Sequence, residues 1–232
     1  MSFTYNLSAE YLKKFAIENG ADFVGIASPD RFDGAPEGHH PVDLLKEVRS
    51  IIVCGNVVST GALLSSRTLY HKVVEMTYLQ LDQIALKISR EVEKNGGLAV
   101  QISTHTPYYY WEEERQYGRG ELSIKHAAVA AGLGKIGKSS IFISNEYGIL
   151  TRLVCILTNI ELVPDLLTDW EPCSEDCNLC LDSCPVNAIK QDYICEQALC
   201  RKNIFKKTLR GIQFEDCREC LRVCPWLLKR PR

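Results

Sequence analysis

Several things are missing from this 232-residue chain, and each removes a class of function. No stretch approaches 18 uninterrupted apolar residues, so a membrane-spanning helix is not expected. The N-terminus, MSFTYNLSAEYLKKF, has no apolar run of signal-peptide length and no twin-arginine signal, which points to a cytoplasmic, reducing compartment. Positive charge is not in excess either. The 27 Lys and Arg against 29 Asp and Glu leave a net charge of -2, which argues against nonspecific nucleic-acid binding, and no nucleic-acid partner is expected. Low-complexity tracts are absent. With 46% hydrophobic and 24% charged residues, the chain has an ordinary globular composition and room for one large and one small domain.

What the chain has in quantity is cysteine, 11 in all. An odd count without a secretory leader does not suit a disulfide framework. Eight of them form a pattern in the last quarter. The first run is Cys173-x3-Cys177-x2-Cys180-x3-Cys184-Pro185, and the second is Cys217-x2-Cys220-x3-Cys224-Pro225, with Cys200 upstream. A [4Fe–4S] cluster needs four thiolates, and in two-cluster ferredoxins the cysteine before proline serves the other cluster. That crossed rule assigns Cys173, Cys177, Cys180 and Cys224 to one cluster, and Cys184, Cys200, Cys217 and Cys220 to the other. Cys195 competes with Cys200 for its place. The x3 gap after Cys173 is one residue longer than the bacterial ferredoxin spacing. Zinc ribbons share C-x2-C pairs but do not call for two Cys-Pro endings.

Upstream, Ser8 is a candidate cap for a helix carrying Leu12, Phe15 and Ala16 and stopping at Gly20. Phe23–Ala27 and Ile51–Val58 read as buried strands, with Cys54 as a small core residue. Asp33–Pro41 is an exposed turn region. Helical periodicity runs from Thr68 to Lys94, with Val73, Met76, Leu79, Ile84, Ile88 and Val92 near one face, and Asn95-Gly96-Gly97 ends it. A strand follows at Leu98–Ile102. The aromatic stretch Thr106–Trp111 is expected to pack over the core. Ser123 should cap a small-residue helix, Ile124–Ala131. Two late strands, Ile141–Ser144 and Ile149–Thr158, are candidates for a hairpin, the second carrying Cys155 in the core. Leu162–Asp165 begins a linker, dividing the chain into an α/β domain at 1–165 and a cysteine domain at 166–232.

Gly132-Leu-Gly-Lys-Ile-Gly137-Lys138-Ser139 matches the expression of a phosphate-binding loop. Such a loop works only after a strand and before a helix, because the helix N-terminus must face the phosphates. Here a helix precedes and a β-branched run follows, so nucleotide binding is refused. The glycines permit close backbone approach, to a neighbouring segment or to a large flat ligand.

That segment, with Ser123, His126, Tyr147-Gly148, Arg152-Leu153, Thr158 and the cysteine runs, resembles the core shared by epoxyqueuosine reductases and corrinoid-dependent reductive dehalogenases. The Val223-Cys-Pro-Trp226 ending is similar to the second run of the reductases. The resemblance covers most of the chain. It implies a nitroreductase-like α/β domain holding a corrinoid (cobalamin), followed by a two-cluster ferredoxin-like domain that passes electrons to cobalt. Gly132, Gly134 and Gly137 would then lie near the corrin, and a ferredoxin, a flavodoxin or another redox partner would supply electrons. Tyr78 falls where dehalogenases carry a proton-donating tyrosine. The reductases' general-acid aspartate has no clear match, and Glu121 is the available substitute. The chain ends eight residues after Cys224, so the family's C-terminal enclosing parts are not expected. That absence leaves a second expectation, an electron-transfer module docking through Lys206, Lys207, Arg210, Arg218, Arg222, Lys229 and Arg230.

Overall fold

The structure is a computed structural model, and it describes residues 7–105, 108–115, 117–207, 209–211 and 213–228. Thr106, Pro107, Lys229 and Arg230 therefore lie outside the described residues. Its centre is a four-stranded sheet built from β1 (Phe23–Ala27), β2 (Ser50–Val57), β3 (Ala99–Ile102) and a long late strand, Thr151–Thr158. The spatial order is β1, β2, the late strand, then β3, and every pairing is antiparallel. The alternation of helices and strands thus yields a mixed α/β fold, with no parallel sheet among the described residues.

Both faces of this sheet are covered. Ile52, Cys54 and Ile156 meet α1 (Ala9–Glu18) and α2 (Arg67–Lys94) through Leu12, Ala16, Leu81, Ile84 and Ile88. Ile51, Val53, Cys155 and Leu157 turn the other way, onto α3 (Ile124–Ala130) and Phe142. A fully buried Ile or Leu contributes roughly 1.5–3 kcal/mol through burial, so these two layers account for most of the local stability. Backbones come close where α3 ends: a Cβ on Gly25 would meet the carbonyl oxygen of Ala131, the residue after α3, at 2.8 Å.

Cys54 and Cys155 are the core thiols expected, both fully buried. Burial pushes the Cys54 thiol up to about 12 and raises that of Cys155 as well. Both groups stay neutral at pH 8, and reactivity requires the thiolate. Iodoacetamide at pH 8 should leave both unlabelled in the folded protein and label both after unfolding, as read by peptide mass spectrometry.

Three expectations need correction. The late strands do not form a hairpin. Phe142–Ser144 pairs instead with a short strand at Gly134–Ile136, while Thr151–Thr158 lies between β2 and β3. Next, the buried face of α2 is offset in its first half. Tyr70, Val74 and Thr77 point inward, whereas Val73, Met76 and Leu79 are exposed, because 3.6-residue periodicity leaves two neighbouring apolar rows to choose from. Finally, the aromatic stretch does not cover the core. Tyr110–Glu112 and Tyr117–Arg119 form an exposed hairpin, with Tyr109 at 68% exposure. Tyr108 and Trp111 stack on each other, and the Arg201 guanidinium lies 5.0 and 4.9 Å from their rings.

The segment after the sheet is anchored. Asp165 accepts the Ile26 amide at 2.8 Å and pairs with the Lys13 ammonium, while its carbonyl oxygen accepts from Arg31 at 2.8 Å. A third apolar cluster then joins residues from both sides of position 165. Leu63, Tyr70, Ile143 and Leu150 pack with Leu221, Trp170, Cys220, Cys224 and Trp226. Among the described residues, no helix is long and apolar enough to cross a membrane.

Candidate metal centre

The two cysteine runs fold into matching local pieces. Each has one turn of helix, Leu179–Asp182 and Glu219–Arg222, leading into its Cys-Pro pair, where the proline needs no donor. These two turns pack against each other. The chain's ends of this region are tied to the sheet layer: Trp226 Nε1 donates to Pro172 O at 2.6 Å, and Ile149 N donates to Trp226 O at 3.3 Å. Trp170 meets Trp226 edge-on, with ring centroids 4.5 Å apart.

The thiols fall into two neighbourhoods. Cys224 is pushed up to about 11 by burial, and then by Cys173, Cys180 and Cys177. Cys220 rises to about 12, again by burial first, with Cys217, Cys200, Cys180 and Cys184 beside it. Cys217 is raised by burial first, and Cys200 and Cys184 lie near it. Cys224 thus sits with the first run, across from its own sequence neighbours. Cys195 and Cys200 are in contact through a thiol hydrogen bond, and Cys220 and Cys184 also face Cys195. No disulfide joins any of the 11 cysteines. Among the described residues no three side chains close on a single ion. A cube with iron at four corners holds its thiolates farther apart than one tetrahedral ion does. The donor set, grouped thiols without histidine or carboxylate, fits an iron–sulfur cluster.

The other predicted residues are placed as follows. Tyr78 is half-buried on α2, its ring stacked on His105 with centroids 4.5 Å apart and planes at 15°. The Arg152 guanidinium lies 5.7 Å from the Tyr78 ring and donates to Tyr70 Oη at 3.1 Å. His105 faces Glu75 at 3.9 Å. Glu121 is exposed, and its backbone carbonyl, not its carboxylate, meets His39 Nδ1 at 3.0 Å. The three glycines approach the chain itself. A Cβ would fall 2.0 Å from Leu166 O at Gly132, 2.1 Å from Ile143 O at Gly134, and 2.6 Å from Ile143 Cδ1 at Gly137. In each case the Cβ direction is taken by the chain's own atoms, which is the close backbone approach expected of these glycines. Arg218 is buried rather than part of a docking surface: Nη2 donates to Ser65 O at 2.6 Å and the guanidinium lies 5.2 Å from the Tyr70 ring.

Sequence reasoning missed His105 and Tyr70. Neither has a spacing signal: Tyr70 meets Arg152 through the packing of α2 against the late strand, and His105 meets Tyr78 from the loop after β3.

An iron–sulfur-type thiol array on an antiparallel, helix-covered sheet defines the class, and the comparisons agree with it. No family profile matches the chain. Curated relatives named epoxyqueuosine reductase include that of Atelocyanobacterium thalassa, 26% identical over 89% of this chain and 65% of that protein. That of Synechocystis sp. is 27% identical over 91% of this chain and 71% of the relative. The chain spans about half to two thirds of the first such relatives, 65% of one and 48% of another. Among solved structures, a selenomethionine-labelled epoxyqueuosine reductase superposes with a TM-score of 0.67 at 23% identity, covering 96% of this chain and 66% of that one. A reductive dehalogenase described for B12-dependent dehalogenation gives 0.70 at 19% identity, over 94% of this chain and 32% of that one. The resemblance seen in the sequence is therefore borne out, and the fold is theirs.

One expectation is overturned by these relatives. An epoxyqueuosine reductase solved with a tRNA-Tyr epoxyqueuosine-modified stem loop superposes at a TM-score of 0.65 and 22% identity, over 96% of this chain and 66% of that one. Nucleic acid is thus a partner within this fold, and its exclusion from net charge does not stand. A net charge of -2 sums the whole surface, and it bears on nonspecific phosphate binding, not on a local site that reads a base.

Proposed function

We propose that this protein is an iron–sulfur oxidoreductase carrying two [4Fe–4S] clusters that deliver electrons to a corrinoid. The observation that carries it is the pair of thiol neighbourhoods with Cys224 crossing to the first run. The ligand sets are Cys173, Cys177, Cys180 and Cys224, and Cys184, Cys200, Cys217 and Cys220, with Cys195 held against Cys200. In this reading residues 1–165 are a nitroreductase-like domain and 166–232 a ferredoxin-like one. A small carrier such as a ferredoxin or flavodoxin supplies the electrons.

A bound corrinoid would supply a reducing cobalt centre. The chain's own contribution is proton delivery and shielding. The Tyr78 phenol is the proton donor, and the Arg152 guanidinium 5.7 Å from its ring stabilises the charge left on it. Stacking on His105 fixes the ring plane. Glu121, exposed and remote from burial, is the weaker candidate for an acid. The substrate class to try first is a tRNA stem loop of the kind seen with the structural neighbour.

A specific observation favours a second reading. Glu121, the substitute for the general acid, is exposed and turns only its backbone carbonyl to His39, which suits an electron-transfer module without a corrinoid. One experiment separates them: iron, zinc and cobalt analysis of protein purified without oxygen and incubated with a base-off corrinoid. About eight irons with retained cobalt is the expected result, given four irons per cluster. Iron without cobalt selects the electron-transfer module. Zinc in place of iron overturns both.

A further inference from the structure

The glycine-lysine motif that fails as a phosphate loop needs another explanation. In the structure it is a hairpin. Gly134–Ile136 and Phe142–Ser144 are paired strands, and residues 137–140 form the tip, closed by Gly137 N to Ile141 O at 2.9 Å and Ser140 N to Gly137 O at 2.8 Å. A strand–turn–strand has no helix N-terminus to offer a phosphate. The tip instead lies on the first cysteine run. Lys138 N points at Cys173 Sγ at 3.5 Å, within reach of a sulfur acceptor. A Cβ on Gly137 would come to 3.4 Å of the same sulfur.

The lysine side chain bears on a second anomaly, the x3 gap. One extra residue between Cys173 and Cys177 adds a carbonyl that must find a donor. Lys138 Nζ donates to Glu175 O at 2.7 Å and to Cys177 O at 3.0 Å, spanning the loop from both sides of Asp176. From the other side, Lys125 Nζ fixes the tip by donating to Ser140 O at 2.9 Å and Ser140 Oγ at 2.8 Å. The unusual spacing and the unexplained motif account for each other.

We infer that the Gly137–Lys138 hairpin tip is a positioning element for the first iron–sulfur cluster, with the Lys138 ammonium bracing the long Cys173–Cys177 loop and its amide donating to the Cys173 sulfur. The inference rests on the cluster reading above. Groups just outside the ligands orient them, and amides and charge near the sulfurs govern the reduction potential.

The test uses the full chain, purified without oxygen and carrying its clusters, in wild-type, Lys138→Met and Lys138→Arg forms. With Lys138→Met, one cluster should lose iron to a chelator about tenfold faster, the scale on which outer-shell partners act. The same cluster should titrate at lower potential, by about tenfold in its oxidised-to-reduced ratio, or about 59 mV for one electron. The other cluster should not change, and Lys138→Arg should restore most of the wild-type behaviour. Deleting Glu175 to shorten the loop should reduce the effect of Lys138→Met on the chelation rate, because one of the two carbonyls that Lys138 braces is then gone. Equal chelation rates and potentials in wild type and Lys138→Met would overturn the inference, as would an undiminished Lys138→Met effect in the shortened loop. Wild type without iron would overturn the cluster reading itself, and the inference with it.

Discussion

Replacing Cys224 with serine should remove about four of about eight irons, since each cluster needs all four thiolates. Which four is the informative part. Cys224 lies two residues from Trp226, within the second run, yet its thiol is surrounded by Cys173, Cys180 and Cys177. A double substitution with Cys173→Ser should therefore cost no more iron than either change alone, because both fall on one cluster. The double with Cys217→Ser should empty both. If ligands instead followed the order of the chain, these two doubles would exchange outcomes. Iron content, sulfide content and the visible spectrum of anaerobic protein read the answer.

The second large effect is expected at Gly132. Its φ of +72° is costly for any residue with a Cβ, and that Cβ would lie 2.0 Å from Leu166 O, a backbone atom that cannot rotate away. Left-handed strain costs roughly 1–2 kcal/mol, and forcing extra atoms into a packed site typically adds 1–3 kcal/mol. Gly132→Ala should thus destabilise the protein by about 2–5 kcal/mol in denaturant unfolding. Gly34→Ala, where nothing lies within 4 Å of the added atom and φ is ordinary, is the control and should change stability little. A Gly132→Ala protein as stable as the control would mean that residues 166–167 move freely away from the glycine turn.

The parts of this molecule that were legible in the sequence are those fixed by short-range chemistry. Cysteines that wrap a cluster are spaced by the loop that carries them, so Cys173 through Cys184 and Cys217 through Cys224 stand out as two runs, and the structure folds each run into a matching helical turn. Buried strands with β-branched residues on both faces, as in Ser50–Val57, read as middle-layer strands. Strand partners were not legible. Gly134–Ile136 and Phe142–Ser144 are three residues each, too short to carry a period, and their pairing depends on the tight tip at Gly137. The exposed aromatic hairpin was misread for a different reason. Aromatics usually go inward, but Tyr108 and Trp111 find their partner in Arg201, which lies about ninety residues later in the chain. Arg218 shows the converse, a cation among surface charges in the sequence that folds inward onto Tyr70.

The third apolar cluster has a consequence beyond packing. Leu221, Cys220 and Cys224 share it with Leu63, Ile143 and Leu150, so the cysteine loops and the segments beside the sheet have one apolar core there. Anything that binds only the folded form draws the folding equilibrium toward it by mass action. With the proposed clusters as that ligand, cofactor supply would set how much of this polypeptide persists in a cell as well as how fast it turns over, because proteases work on the fraction that is open. Iron scarcity or oxygen exposure would then appear as a fall in protein abundance, with no change in the synthesis of the chain.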